Sequence, residues 1–147
     1  MNIFKKKILR DEFKKLELAA FLEGRDIRYI VDSKFRDYLE AGIKPEKVVF
    51  YMTGFEKFLH FKELSELGIK VDLSKDVDFF SYEFVAAKLN ELLECGVNAN
   101  ILVDNLLVND LKTHADDLLE HGASRRKIES VLLENHEEAF LAQLHIA

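Results

Sequence analysis

One short phrase recurs four times and limits what this chain can fold into. Tyr38-Leu39-Glu40-Ala41-Gly42-Ile43 comes first, then Leu64-Ser65-Glu66-Leu67-Gly68-Ile69, Leu92-Leu93-Glu94-Cys95-Gly96-Val97 and Leu118-Leu119-Glu120-His121-Gly122-Ala123. The glycines stand 26, 28 and 26 residues apart. Self-similarity at a fixed interval of this size marks stacked helical repeats. The phrase itself has the composition of a helix stop. A glycine just past a helix enters the left-handed region without steric cost, and the following residue then folds back onto the residue four before the glycine. Those partners are Ile43 with Tyr38, Ile69 with Leu64, Val97 with Leu92 and Ala123 with Leu118, all apolar. Phe21-Leu22-Glu23-Gly24 reads as a worn copy.

The pattern predicts an all-α fold, a right-handed α-solenoid of short helix pairs with a period of about 26 residues. At 147 residues the chain is expected to be a single helical-repeat domain, with 1–32 as an N-terminal cap and about four helix-pair units over 33–147. Its 48% hydrophobic and 33% charged content is that of a folded, soluble protein. Cys95 is the only cysteine, which excludes an internal disulfide and a cysteine-based zinc site. No run approaches the ~18 apolar residues of a membrane span, and Ile8 to Leu22 is too interrupted by charge to be a signal-peptide core. A cytoplasmic location is expected.

Residues 3–22 read as a first helix with Phe4, Ile8, Leu9, Phe13, Leu16 and Ala20 on one face, capping the repeats. Its basic, amphipathic character also fits an anionic membrane surface or a partner helix. A short piece, Asp26 to Val31, precedes a helix from about Ser33 to Ala41. Each later period is expected to hold two helices. The first starts at Pro45, Asn98 or Ser124, with Asp72 or Ser74 as candidates in the longer second period. Thr53, Ser81, Asn109 and Asn135 are start signals for the second helices, the last of which is expected over about 136–145.

Projection at about 100° per residue sorts the second helices. The positions eleven, seven, four and three before each glycine form an apolar stripe, from Val31, Phe35, Tyr38 and Leu39 to Leu111, Ala115, Leu118 and Leu119. The positions five and two before it point the opposite way and are acidic in every case: Asp37 and Glu40, Glu63 and Glu66, Glu91 and Glu94, Asp117 and Glu120. Carboxylates in a helix's last turn face the negative end of its dipole, at a cost of roughly 0.3–1 kcal/mol when exposed. Paid repeatedly, that cost makes these eight residues the candidate partner-binding site, a face for a protein with a basic surface. The ordinary explanation is a solvated outer surface.

Eight residues before each glycine stand Lys34, His60, Lys88 and His114. They form a possible basic rim for phosphates, or simply lie over the groove between helices. His114 and His121 are seven apart, too far for adjacent turns, and His136 and His145 have no obvious partners, so no metal site is expected. The aromatic-rich middle, from Phe50 to Phe84, is expected to fill the core, the alternative being an apolar groove. Cys95 lies at a helix C-terminus, where the dipole raises a thiol pKa. No nucleophile, phosphate loop or cofactor motif stands in recognisable context, so neither an enzyme nor a cofactor is expected.

The Leu118 to Ala123 phrase resembles the end of an ankyrin repeat's second helix, without that family's threonine-proline-leucine-histidine opening. Leu-x-x-x-Gly followed six residues later by Val48, Leu102 or Ile128 is similar to the mitochondrial transcription termination factor repeat. That second resemblance implies nucleic-acid binding through a basic concave surface. The net charge of −6 is split between +4 in residues 1–15 and −10 in the remainder, and that acidic body disfavours nucleic acid. The sequence therefore points first to a non-enzymatic protein–protein interaction module. Nucleic-acid binding along the basic rim, or an acidic decoy imitating nucleic acid, are the alternatives.

Overall fold

A computed structural model describes the backbone of residues 1–146 and the side chains of residues 1–135. Every regular element among the described residues is helical. The chain divides into two compact units, Met1–Val71 and Asp72–Ala147. The first unit holds α1 (Ile3–Glu23), α2 (Arg28–Glu40), α3 (Pro45–Phe50), α4 (Gly54–Leu59) and α5 (Phe61–Glu66). The second holds a 3-10 turn (Asp76–Phe79), α6 (Tyr82–Ala87), α7 (Leu89–Glu94), α8 (Ala99–Val103), α9 (Val108–Glu120) and α10 (Arg125–Ile146).

The recurrent phrase is a helix stop of the expected kind. At the end of α7 the Gly96 amide donates to the Leu93 carbonyl (3.0 Å) and the Val97 amide to the Leu92 carbonyl (3.2 Å). This double closure, with Gly96 at φ +83°, defines a Schellman ending. The same two bonds end α2, α5 and α9. The residue four before the glycine, Tyr38, Leu64, Leu92 or Leu118, is fully buried in each copy. Val48, Leu102 and Ile128, six residues past their glycines, are buried against the same cores. Helix starts follow the capping chemistry at several sites. Thr53 accepts from the Glu56 amide, Ser81 from Phe84 and Asn98 from Asn100, while Pro45 opens α3.

Several elements depart from the sequence expectation. Asp26 to Val31 is not a separate piece. α2 runs unbroken from Arg28, whose amide and guanidinium both bond the Asp26 carboxylate. The second period opens on the 3-10 turn, since Asp72 turns back on the Ser74 amide instead of capping an α-helix. The expected second helices of the two middle periods break at His60 and at Lys88, giving α4 with α5 and α6 with α7. Asn109 is not a cap, because α9 begins at Val108. Asn135 lies inside α10, its amide donating to the Val131 carbonyl four residues back (2.8 Å). With no glycine or proline between Arg125 and Ile146, nothing stops that helix at Asn135.

α1 packs on α2 through Leu9 and Phe13, whereas Phe4 and Ile8 of the expected face are exposed. The mid-chain aromatics are not a uniform core either. Phe58 is buried, while Phe50, Phe55, Phe79 and Tyr82 are exposed. Polar contacts pin α1. The buried Tyr38 hydroxyl donates to Glu12 (3.0 Å), Lys34 donates to the same carboxylate oxygen (2.7 Å), and Arg10 bonds the Ala41 carbonyl (3.1 Å). Phe13 meets the ring of Tyr38 edge-on at 5.1 Å.

Three substitutions test this packing. No atom lies within 4 Å of a Cβ added at Gly96, so Gly96→Ala carries only the conformational cost, about 1–2 kcal/mol in urea unfolding. Leu92→Ala should cost about 2–5 kcal/mol. An unchanged midpoint for Gly96→Ala would refute the left-handed stop. The Lys34 ammonium, bonded to Glu12, holds that carboxyl below its ordinary pKa against the opposing effect of burial. A depressed folded-state value stabilises the fold above the ordinary carboxylate range, and the gain is lost as pH falls through the depressed value. Glu12→Gln should therefore cost about 1 kcal/mol near neutral pH, with the deficit shrinking as pH falls through the depressed value. A deficit independent of pH would assign the loss to packing alone.

Candidate functional site

The eight acidic positions fall where the helix period places them. Asp37, Glu40, Glu66, Glu91, Glu94 and Glu120 are exposed, and Glu63 and Asp117 are half-buried. They sit across the helix from Tyr38, Leu64, Leu92 and Leu118, whose burial fixes the rotation of α2, α5, α7 and α9. Four belong to the first unit, Asp37, Glu40, Glu63 and Glu66, and the other four to the second.

Their electrostatic states differ. Glu63 is gripped by the fork of Arg36, with Nε–Oε1 and Nη2–Oε2 both 2.8 Å, and its Oε2 lies 3.3 Å from His60 Nδ1. The guanidinium of Arg36 holds the Glu63 carboxyl below the usual carboxylate range. That guanidinium also lies 4.9 Å over the Phe35 ring. Glu40 stands 3.5 Å from the Met1 amino group, and Glu91 stands 3.7 Å from Lys88 Nζ. Asp37, Glu66, Glu94, Asp117 and Glu120 make no ion pair among the described residues.

Three of the four basic positions are paired internally. Lys34 is bound to Glu12, Lys88 to Glu91, and the His60 ring lies between Glu56 (Nε2–Oε2, 3.2 Å) and Glu63. His114 is half-buried. A row of free cations for a phosphate backbone is not what these side chains form.

Sequence reasoning missed two polar devices. The Asp32 carboxylate accepts from both the amide (2.9 Å) and the hydroxyl (2.7 Å) of Thr53, tying α2 to the start of α4. Beside this latch runs an open groove of about 490 Å³, lined by Tyr29, Asp32, Ser33, Thr53, Phe55 and Glu56. The second device is the Glu12–Tyr38–Lys34 cluster. Its available signal was a tyrosine in the one copy where the other three carry leucine, since a buried hydroxyl needs a partner.

No group of three or more His, Cys, Asp or Glu is placed to hold a metal among the described residues. His121 Nδ1 lies 2.8 Å from the Asp117 carbonyl, and the side chains of His136 and His145 lie outside the described residues. Burial, then the charges of Glu94 and Glu91, push the Cys95 thiol up. No protein-family model matches this chain, and neither does any curated protein or solved structure compared with it.

Cys95 should consequently alkylate with iodoacetamide more slowly than free glutathione near pH 7.5, the rate climbing only in strong alkali. Fast reaction at neutral pH would reveal an activated thiol.

Proposed function

We propose that this chain is a non-enzymatic interaction module, a right-handed α-solenoid of short helix pairs whose acidic face docks a protein bearing a basic surface. The observation that carries the reading is the set of five exposed or half-exposed carboxylates, Asp37, Glu66, Glu94, Asp117 and Glu120, at recurrent helix ends and without an ion pair among the described residues. Each opposes its own helix dipole, a recurrent small cost that binding to cations would offset. The repeat architecture is supported by polar contacts that recur near one period. Arg36 bonds Glu63, Asn105 bonds Asp78 (3.2 Å), and Lys127 bonds both the Asn100 carbonyl (2.9 Å) and Asp104 (2.7 Å). Within each unit, partners so spaced tie one helix to another about a period away, a spacing that suits nearest-neighbour stacking.

Small-angle scattering tests the architecture. A solenoid should exceed the radius of gyration of about 15 Å expected for a compact domain of this length. The docking face is tested by affinity capture with the wild type and with Glu66→Gln, Glu94→Gln and Glu120→Gln combined. The partner retained by the wild type should carry a basic surface, elute with salt, and bind the triple variant at least about tenfold more weakly. Equal retention, with helical circular dichroism unchanged, would show that these carboxylates only keep the surface wet.

A further inference from the structure

The largest unexplained feature of the molecule is the outward face of α1. Opposite the buried Leu9 and Phe13, the helix exposes Ile3, Phe4, Ile8, Leu18, Phe21 and Leu22, with Phe4 at 74% and Phe21 at 84% of full exposure. At about 100° per residue these six side chains fall within an arc of about 140°. Lys7, Lys14 and Lys15 lie in the same arc, all exposed and without an ion pair among the described residues. The one acidic residue there is Asp11. Large apolar side chains on a stable helix face mark an interaction surface.

We infer that this face of α1 lies on an anionic lipid surface, as a helix in the plane of the membrane interface. Its chemistry narrows the occupant. A second α1 packed against it would oppose lysine to lysine. The acidic helix ends of another copy supply charge, but only Leu67 beside them offers a large exposed apolar side chain. A bilayer with anionic headgroups supplies acyl chains for the phenylalanines and counter-charge for the lysines together. None of the described helices is long and apolar enough to cross the membrane, so the contact is peripheral. The acidic remainder of the chain, at −10, is repelled by the same surface. That repulsion is weakened because α1 is about 10–12 Å across, and the Debye length is about 10 Å at 0.1 M salt.

The test is co-sedimentation of the whole chain with vesicles of phosphatidylcholine containing about 30% phosphatidylglycerol, and with phosphatidylcholine alone. Binding is expected only to the anionic vesicles, with release at about 0.5 M salt. Phe4→Ser with Phe21→Ser should weaken binding about tenfold or more while leaving circular dichroism unchanged, as should Lys7→Glu with Lys14→Glu and Lys15→Glu. No binding by the wild type would overturn the inference. So would undiminished binding of the phenylalanine variant, or self-association that the same variant abolishes.

Discussion

The hydrogen bond from the amide after each glycine to the carbonyl five residues back is the contact on which the order of the helices depends. At Val97 and Leu92 it satisfies a carbonyl that the helix would otherwise leave without a partner. It also brings the Val97 side chain, itself buried, towards Leu92, the most completely buried position of α7. Two residues later α8 begins, with Asn98 already capping it. A single backbone geometry thus ends one helix, seals its apolar face and directs the next. The reversal rests on one left-handed residue, so the glycine is constrained by φ and not by crowding.

That economy explains what could be read in the chain and what could not. The helix stops, the fully buried positions four before each glycine, and the caps at Thr53, Ser81 and Asn98 all depend on residues within six positions of one another. Local chemistry decided them. Two of the misreadings lie where a second local partner competed. Asn135 looks like a cap, yet its amide is satisfied by Val131 within the same helix, and no breaker is present to favour ending there. Asp72 serves its own turn in the same way. The Asp32 latch and the Glu12 cluster were invisible for another reason. Their members lie 21 to 26 residues apart, and only the packed fold brings them together.

The charge distribution follows a related division. Several lysine and arginine side chains are drawn into pairs between neighbouring elements of the same unit. Lys34 with Glu12, Arg36 with Glu63, and Lys127 with Asp104 are all of this kind. The carboxylates on the far side of the helices have few cations left to meet. The acidic face is therefore partly a by-product of how the chain spends its positive charge.

The rotation of α1 brings these strands together. Its sequence carries apolar residues on nearly every side, interleaved with charged ones, and a helix of that kind could settle with different faces inward. Polar anchors remove the choice. Turning α1 to bury Phe4 and Phe21 would carry Glu12 away from the Tyr38 hydroxyl and strand that hydroxyl in the core, a loss of about 1–3 kcal/mol. It would also break the Arg10 bond to the Ala41 carbonyl, which lies at the end of α2 beside the first glycine stop. Tyr38, where the later glycine phrases carry leucine, thus holds α1 in one orientation. The exposed phenylalanines and lysines of α1 are the consequence of that orientation, a surface maintained by buried contacts on its opposite side.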